Sequence, residues 1–219
     1  MNISGLQIVK AAVPLVDLTD AVRQIDDQPW SADSSRKVQR YGFAYAWEHR
    51  ELYSAGAFLS SLQDLAQCIQ ENGWMRPKPD QVSVLSFDRN SYLDAHIDDT
   101  ACFGQEIVTV SLVSSALYWL TDGTYAEAHI VEPGDVVVLR GEARYKYKHG
   151  VAKPKLNEKL DAGVTRLITD RGAPRLELGV GHRGKMRGVV FRLPSALLFR
   201  LALCRALDPE MCMSGSSLA

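Results

Sequence analysis

The stretch from residue 81 to 149 constrains this chain most. It is a succession of short β-branched and aliphatic runs: Val82–Phe87, Glu106–Leu112, Ala116–Leu120, Glu127–Val131, Asp135–Leu139 and Lys146–His149, with another at Met186–Leu193. Turn formers such as Thr121-Asp122-Gly123 and Pro133-Gly134-Asp135 separate them. Runs this short suit strands rather than helices, and strands punctuated so closely fold back on one another. The pattern predicts a mainly β (α+β) architecture, an antiparallel sandwich or jelly roll.

The N-terminal part reads differently. Phe58, Leu59, Leu62, Leu65, Ala66 and Ile69 recur at three- and four-residue intervals before Gly73, which predicts an amphipathic helix over 57–72. Asp17 to Ile25 is a second helix, with Asp17 or Thr19 as its cap. In Lys37–Trp47 the aromatics Tyr41, Phe43, Tyr45 and Trp47 alternate, which predicts a strand presenting all four to the core on one face. Segment 150–182, rich in Lys, Gly, Pro and Asp, reads as a long loop, and Ala196–Leu207 as a terminal helix. The expected organisation is a helical and strand cap over 1–80, a β core over 81–195 and a helical extension over 196–219.

Composition narrows the function classes. With 219 residues, 46% apolar and 23% charged, the chain is neither disordered nor a solenoid. No run approaches the ~20 apolar residues of a membrane span, and the N-terminus has no signal-peptide pattern. The expectation is an intracellular protein without membrane insertion, mitochondrial or cytoplasmic, although Lys10 is the one basic residue in 1–22. Cys68, Cys102, Cys204 and Cys212 lack the spacing of a zinc site or a disulfide framework. Charge is split: residues 1–139 carry 9 basic and 19 acidic side chains, residues 140–192 carry 14 and 5. A basic segment of this kind either faces an anion or pairs with the acidic part of the same fold.

His96-Ile97-Asp98 puts two metal-capable side chains on one face of an extended segment, and His149 follows after several strands. Two imidazoles and one carboxylate on a β scaffold make the facial triad of non-haem Fe(II) oxygenases, which leaves coordination positions open. His49, His129 and His182 are read as solvated or hydrogen-bonded imidazoles. Arg192 closes the last apolar run, where a buried guanidinium needs an anionic partner or else reaches water.

These residues and their surroundings resemble the AlkB family of Fe(II)/2-oxoglutarate dioxygenases. The likeness lies in Val84-Leu85-Ser86-Phe87, Tyr92 through Asp98, Glu106-Ile107-Val108 through Ser111-Leu112, Pro133-Gly134-Asp135, and above all Leu139 through His149. Arg183-Gly184 and Phe191-Arg192 continue it. The resemblance implies a double-stranded β-helix, with His96, Asp98 and His149 as iron ligands and 2-oxoglutarate as cosubstrate. It implies that Arg192 pairs with a cosubstrate carboxylate, and Arg187 and Tyr92 are carried as further cosubstrate-facing candidates. Beyond the metal ligands no catalytic residue is implied.

The chain departs from the family pattern at three positions. Leu85 and Phe87 stand where many members have Asn and Tyr, and Met186 stands where a second arginine is common. The apolar pair, with a tyrosine four residues before His96, is most similar to the mitochondrial branch of the family. The implied activity is hydroxylation or oxidative demethylation, with O2 as co-reactant, of a nucleic acid (RNA before DNA) or a protein; an N-methyl carbon so hydroxylated leaves as formaldehyde. The alternative is a non-catalytic module of the same fold that binds RNA or a protein partner.

Overall fold

The computed structural model describes residues 3–33, 36–46, 51–87, 92–152 and 186–192. Strands β1 (Leu6–Val9), β2 (Ser31–Asp33), β3 (Arg36–Ala46) and β4 (Glu51–Ser54) and helices α1 (Leu15–Asp26) and α2 (Ser60–Glu71) precede a β-rich core. That core comprises β5 (Gln81–Phe87), β6 (Leu93–His96), β7 (Ile107–Ser111), β8 (Ala116–Thr121), β9 (Ala126–Val131), β10 (Val136–Leu139), β11 (Lys148–Val151) and β12 (Met186–Arg192), with helix α3 (Gly141–Tyr145) before β11. The larger sheet runs β1-β10-β7-β12-β5-β3-β2, with β4 on β3; the smaller runs β6-β11-β8-β9. Every strand pair is antiparallel. From β5 to β12 the chain alternates between the two sheets except at the β8–β9 hairpin, which is the jelly roll expected from the strand pattern, with its double-stranded β-helix connectivity.

The larger sheet is covered on both faces, and its strands therefore read as unbroken apolar runs rather than as alternation. In β10, Val136 and Val138 join the outer cluster beneath α1 and α2, while Val137 and Leu139 join the inner cluster between the sheets. In β5, Val82 and Val84 face the helices while Leu85 and Phe87 are in the inner cluster. Leu18 and Ile25 of α1 and Leu62, Leu65 and Ile69 of α2 fill the outer layer, each side chain contributing about 1.5–3 kcal/mol by leaving water. Neither Asp17 nor Thr19 caps α1: the helix starts at Leu15 after Pro14, Asp17 lies in its first turn, and the Thr19 hydroxyl donates to the Leu15 carbonyl.

The four aromatics of 41–47 do not share a face. Tyr41 packs in the outer cluster and Tyr45 against the inner one. Between them Gly42 adopts φ +74°, and a Cβ there would sit 2.1 Å from the Asp80 carbonyl oxygen. This left-handed residue breaks the two-residue period, which a glycine alone permits at that closeness. The expected loop over 150–182 starts later than that, since Gly150 and Val151 belong to β11; Trp47, the 153–182 part of that loop and the Ala196–Leu207 helix lie outside the described residues.

Candidate metal centre

The site is built where β6 and β11 run side by side in the smaller sheet. His96, the last residue of β6, pairs directly with His149 of β11. Asp98 lies beyond the end of the strand, so it reaches His96 through the loop and not through strand alternation. Asp98 Oδ1 is 3.7 Å from His96 Nε2, and Oδ2 is 3.6 Å from His149 Nε2. One ligand atom from each of the three residues falls within 4.8 Å of the others. Donors about 2 Å from one ion, roughly at right angles, stand about 3 Å apart. The two carboxylate–imidazole separations exceed that by under 1 Å and all three donors stay within 4.8 Å, and two imidazoles with one carboxylate are the donor set of an Fe(II) triad, so the residues fit that ion.

Each member is held by its surroundings. The residue separation is three between Leu93 and His96 but two between Val151 and His149, so β6 carries one extra residue opposite β11. The bulge turns the Asp94 carbonyl toward His96 Nδ1 at 2.9 Å. A carbonyl oxygen only accepts, so Nδ1 is the donor there and Nε2 is the nitrogen on the Asp98 side that an ion would take. His149 is buried and stacks on Tyr118 of β8, with ring centroids 5.9 Å apart and planes 17° from parallel. Gly150 follows because a Cβ there would meet the Leu93 carbonyl oxygen at 2.5 Å. In the loop after Asp98, Asp99 accepts hydrogen bonds from the Ala101 and Cys102 amides. Burial works to raise its carboxyl, but those bonds, together with nearby Arg144, hold it below the usual aspartate range.

The register extends the site across the sheet. His96, His149, Leu120 and Glu127 form one transverse row, and Leu93, Val151, Tyr118 and His129 the next. His129 Nε2 lies 2.8 Å from Glu127 Oε1 without making a hydrogen bond to it; His49 and His182 lie outside the described residues. Tyr92 is half-buried just before β6. On β12, Arg192 stands at the register position opposite Gln81 and Arg187 opposite Ser86, in an unbroken ladder with no bulge. Met186 falls opposite Phe87 and Gly188 opposite Leu85, so two of the three positions that depart from the family pattern, Met186 and Phe87, are direct cross-strand neighbours.

Sequence reasoning passed over Arg144, the Asp94 carbonyl, Gly150 and Tyr118. Arg144 and the glycine sit in or beside the 139–149 string already singled out, whereas a backbone carbonyl leaves no trace in residue identity.

Comparisons with known proteins agree with this geometry. The model of the 2OG-Fe(II) oxygenase superfamily matches residues 19–179, about three quarters of the chain. The tRNA (carboxymethyluridine(34)-5-O)-methyltransferase ALKBH8 of Macaca fascicularis is 24% identical over 209 residues, covering 86% of this chain and 30% of that protein. The alpha-ketoglutarate-dependent dioxygenase alkB homolog 7, mitochondrial, of Mus musculus is 31% identical over 83 residues, 34% of this chain and 38% of that protein. The chain thus spans about a third of the length of these curated relatives. Among solved structures, OsALKBH1 superposes with a TM-score of 0.60 at 16% identity, covering 86% of this chain and 96% of that one. At that identity the likeness shows the fold.

Proposed function

This chain belongs to the 2OG-Fe(II) oxygenase superfamily, and from that membership we propose that it is an AlkB-type dioxygenase whose iron is held by His96, Asp98 and His149. The observation that carries the reading is the convergence of two imidazole nitrogens and one carboxylate, from positions far apart in the chain, within 4.8 Å. When bound, Fe(II) would let O2 be reduced at the expense of 2-oxoglutarate, which would leave as succinate and CO2 with one oxygen atom, the other oxygen atom going to a substrate C–H bond as hydroxyl.

The chain's own part is placement. The Asp94 carbonyl fixes the His96 tautomer, the Tyr118 ring fixes the plane of His149, and Asp98 supplies the negative charge between the two imidazoles. His149 and Asp98 are buried while His96 is 35% exposed, so a substrate approaches from the His96 side and water is excluded from the other. Arg192, Arg187 and Tyr92 are our candidates for the cosubstrate. An arginine–carboxylate pair there contributes about 1.5–3 kcal/mol.

For the substrate we propose a methylated nucleic acid, RNA before DNA, with protein the remaining option. The relatives support this: one is named as a tRNA-modifying protein and another, in Arabidopsis thaliana, as "Alkylated DNA repair protein ALKBH8 homolog". The alkB homolog 7 relative carries a mitochondrial address in its name, which supports a mitochondrial setting over a cytoplasmic one. Imaging the tagged chain against a matrix marker tests the location. Oxygen-dependent succinate release from Fe(II)-loaded protein given methylated RNA, lost in His96→Ala, tests the activity. No succinate with methylated RNA, DNA or peptide overturns it.

A second reading, a non-catalytic binding module, is favoured by one observation. Leu85 and Phe87 are buried in the inner cluster opposite Gly188 and Met186, four residues that offer no side-chain hydrogen bond of ordinary strength to a dicarboxylate. This reading expects RNA retention that falls steeply with salt and ignores both iron and 2-oxoglutarate.

A further inference from the structure

Arg144 is the largest fully buried side chain among the described residues, 1% exposed. Its guanidinium donates to four main-chain carbonyls of one loop: Nη1 to Asp98 at 2.8 Å, Nε to Gly104 at 3.1 Å, and Nη2 to Asp99 and Phe103 at 3.3 Å each. The carbonyl with the shortest bond belongs to the residue whose carboxylate lies between the two imidazoles. Arg144 is also five positions before His149, on α3, which leads directly into β11. One side chain therefore ties the loop that carries Asp98 to the segment that carries His149.

The planar fork suits this task. Its donors are fixed relative to one another, so several carbonyls bonded to it cannot shift independently. Charge-assisted bonds of this kind are about twice as strong as neutral ones, and inside the protein each unmade one leaves a buried carbonyl stripped of water. The Tyr145 ring, 5.0 Å from the guanidinium carbon, covers one side of the fork. Apolar anchors finish the job, since Cys102 and Phe103 of the same loop are buried in the inner cluster.

We infer that Arg144 is a positioning residue for the metal centre, holding Asp98 at coordinating distance from His149 before any ion arrives. The inference deepens the metal-site reading above and rests on it. A loop without the clamp has to be ordered by the metal itself, and that ordering is subtracted from the affinity. Outer partners of metal ligands typically account for 10–100-fold in binding.

The test is calorimetric and visible-absorption titration of Co(II) into the metal-free full chain, wild type and Arg144→Lys, beside thermal melts of the metal-free proteins. No binding by wild type overturns the site reading itself, before any variant is compared. With wild type binding, Arg144→Lys is expected to melt cooperatively, to bind Co(II) 10–100-fold more weakly and to show altered ligand-field bands. A folded Arg144→Lys with wild-type affinity and bands overturns the inference, because a purely structural guanidinium lowers the melting temperature and leaves the folded protein's affinity alone. Should Arg144→Lys fail to fold, Tyr145→Leu carries the test, since Tyr145 is 44% exposed. Loosening the fork by removing that ring is expected to weaken Co(II) about 2- to 5-fold, and an unchanged affinity overturns the inference.

Discussion

The Asp94 carbonyl stands 2.9 Å from His96 Nδ1, across the one residue by which β6 outnumbers β11. A bulge in a strand pair thus sets the protonation pattern of a candidate ligand two residues away. The bulge needs the two backbones close together, and Gly150 lets them approach.

Gly150→Ala is therefore expected to damage the site from outside it. A methyl 2.5 Å from the Leu93 carbonyl oxygen forces β6 away from β11, with a stability loss of about 1–3 kcal/mol. Thermal melts report the loss. Co(II) titration should show weakened binding even though no ligand has been changed.

His96→Ala separates metal binding from folding. His96 is 35% exposed, so its loss should leave the metal-free melting temperature nearly unchanged. Wild type at a metal concentration 100-fold above Kd gains about 2.7 kcal/mol. That gain should vanish in the variant, and a chelator should abolish it in wild type.

Much of this arrangement was legible in the residues, and the missing parts share a cause. The strands from 82 to 139 other than β6 follow from apolar runs and turn formers, β5, β7 and β10 most plainly because both faces of the larger sheet are covered. Helix α2 follows from its spacing, since Leu62, Leu65, Ala66 and Ile69 all turn inward. The triad was visible because His, Asp and His are chemically marked. What escaped was encoded in backbone geometry: the Gly42 reversal that separates Tyr41 from Tyr45, the β6 bulge, and the four carbonyls that explain Arg144. Strands β1, β2 and β4 are three or four residues long, too short for any period to declare itself.

Asp80 gives a pH dependence of defined sign. Burial pushes its carboxyl up to about 6 from the usual 3.8, and Oδ1 has no hydrogen-bond partner. The folded state therefore holds this proton more tightly than the unfolded chain. The contribution to stability is full below pH 4 and is lost as the pH rises through 6. Asp80→Asn should stabilise the protein by about 1–3 kcal/mol at pH 7.5 and by almost nothing at pH 4, as denaturant melts at the two values would show.

Leu85→Asn with Phe87→Tyr places the family's usual amide and phenol on the inner face of β5. Two new hydrogen bonds should tighten 2-oxoglutarate by about 10- to 100-fold, measured by titration into the metal-loaded protein. The free protein should lose about 1–3 kcal/mol, because Leu85 and Phe87 are 8% and 4% exposed and the new polar groups are unpaired until the ligand arrives.

Strand β12 lies between β5 and β7, pairing with β5 over Met186–Arg192 and with β7 over Gly188–Phe191. Among the described residues, the last strand to leave the ribosome is therefore a central one, inserted between neighbours made about 75 to 100 residues earlier. Until it arrives, two apolar edges stand bare, and a pairing between segments so distant in sequence forms slowly. A nascent or truncated chain has every triad ligand yet an open β scaffold around them, and is a natural client for chaperones.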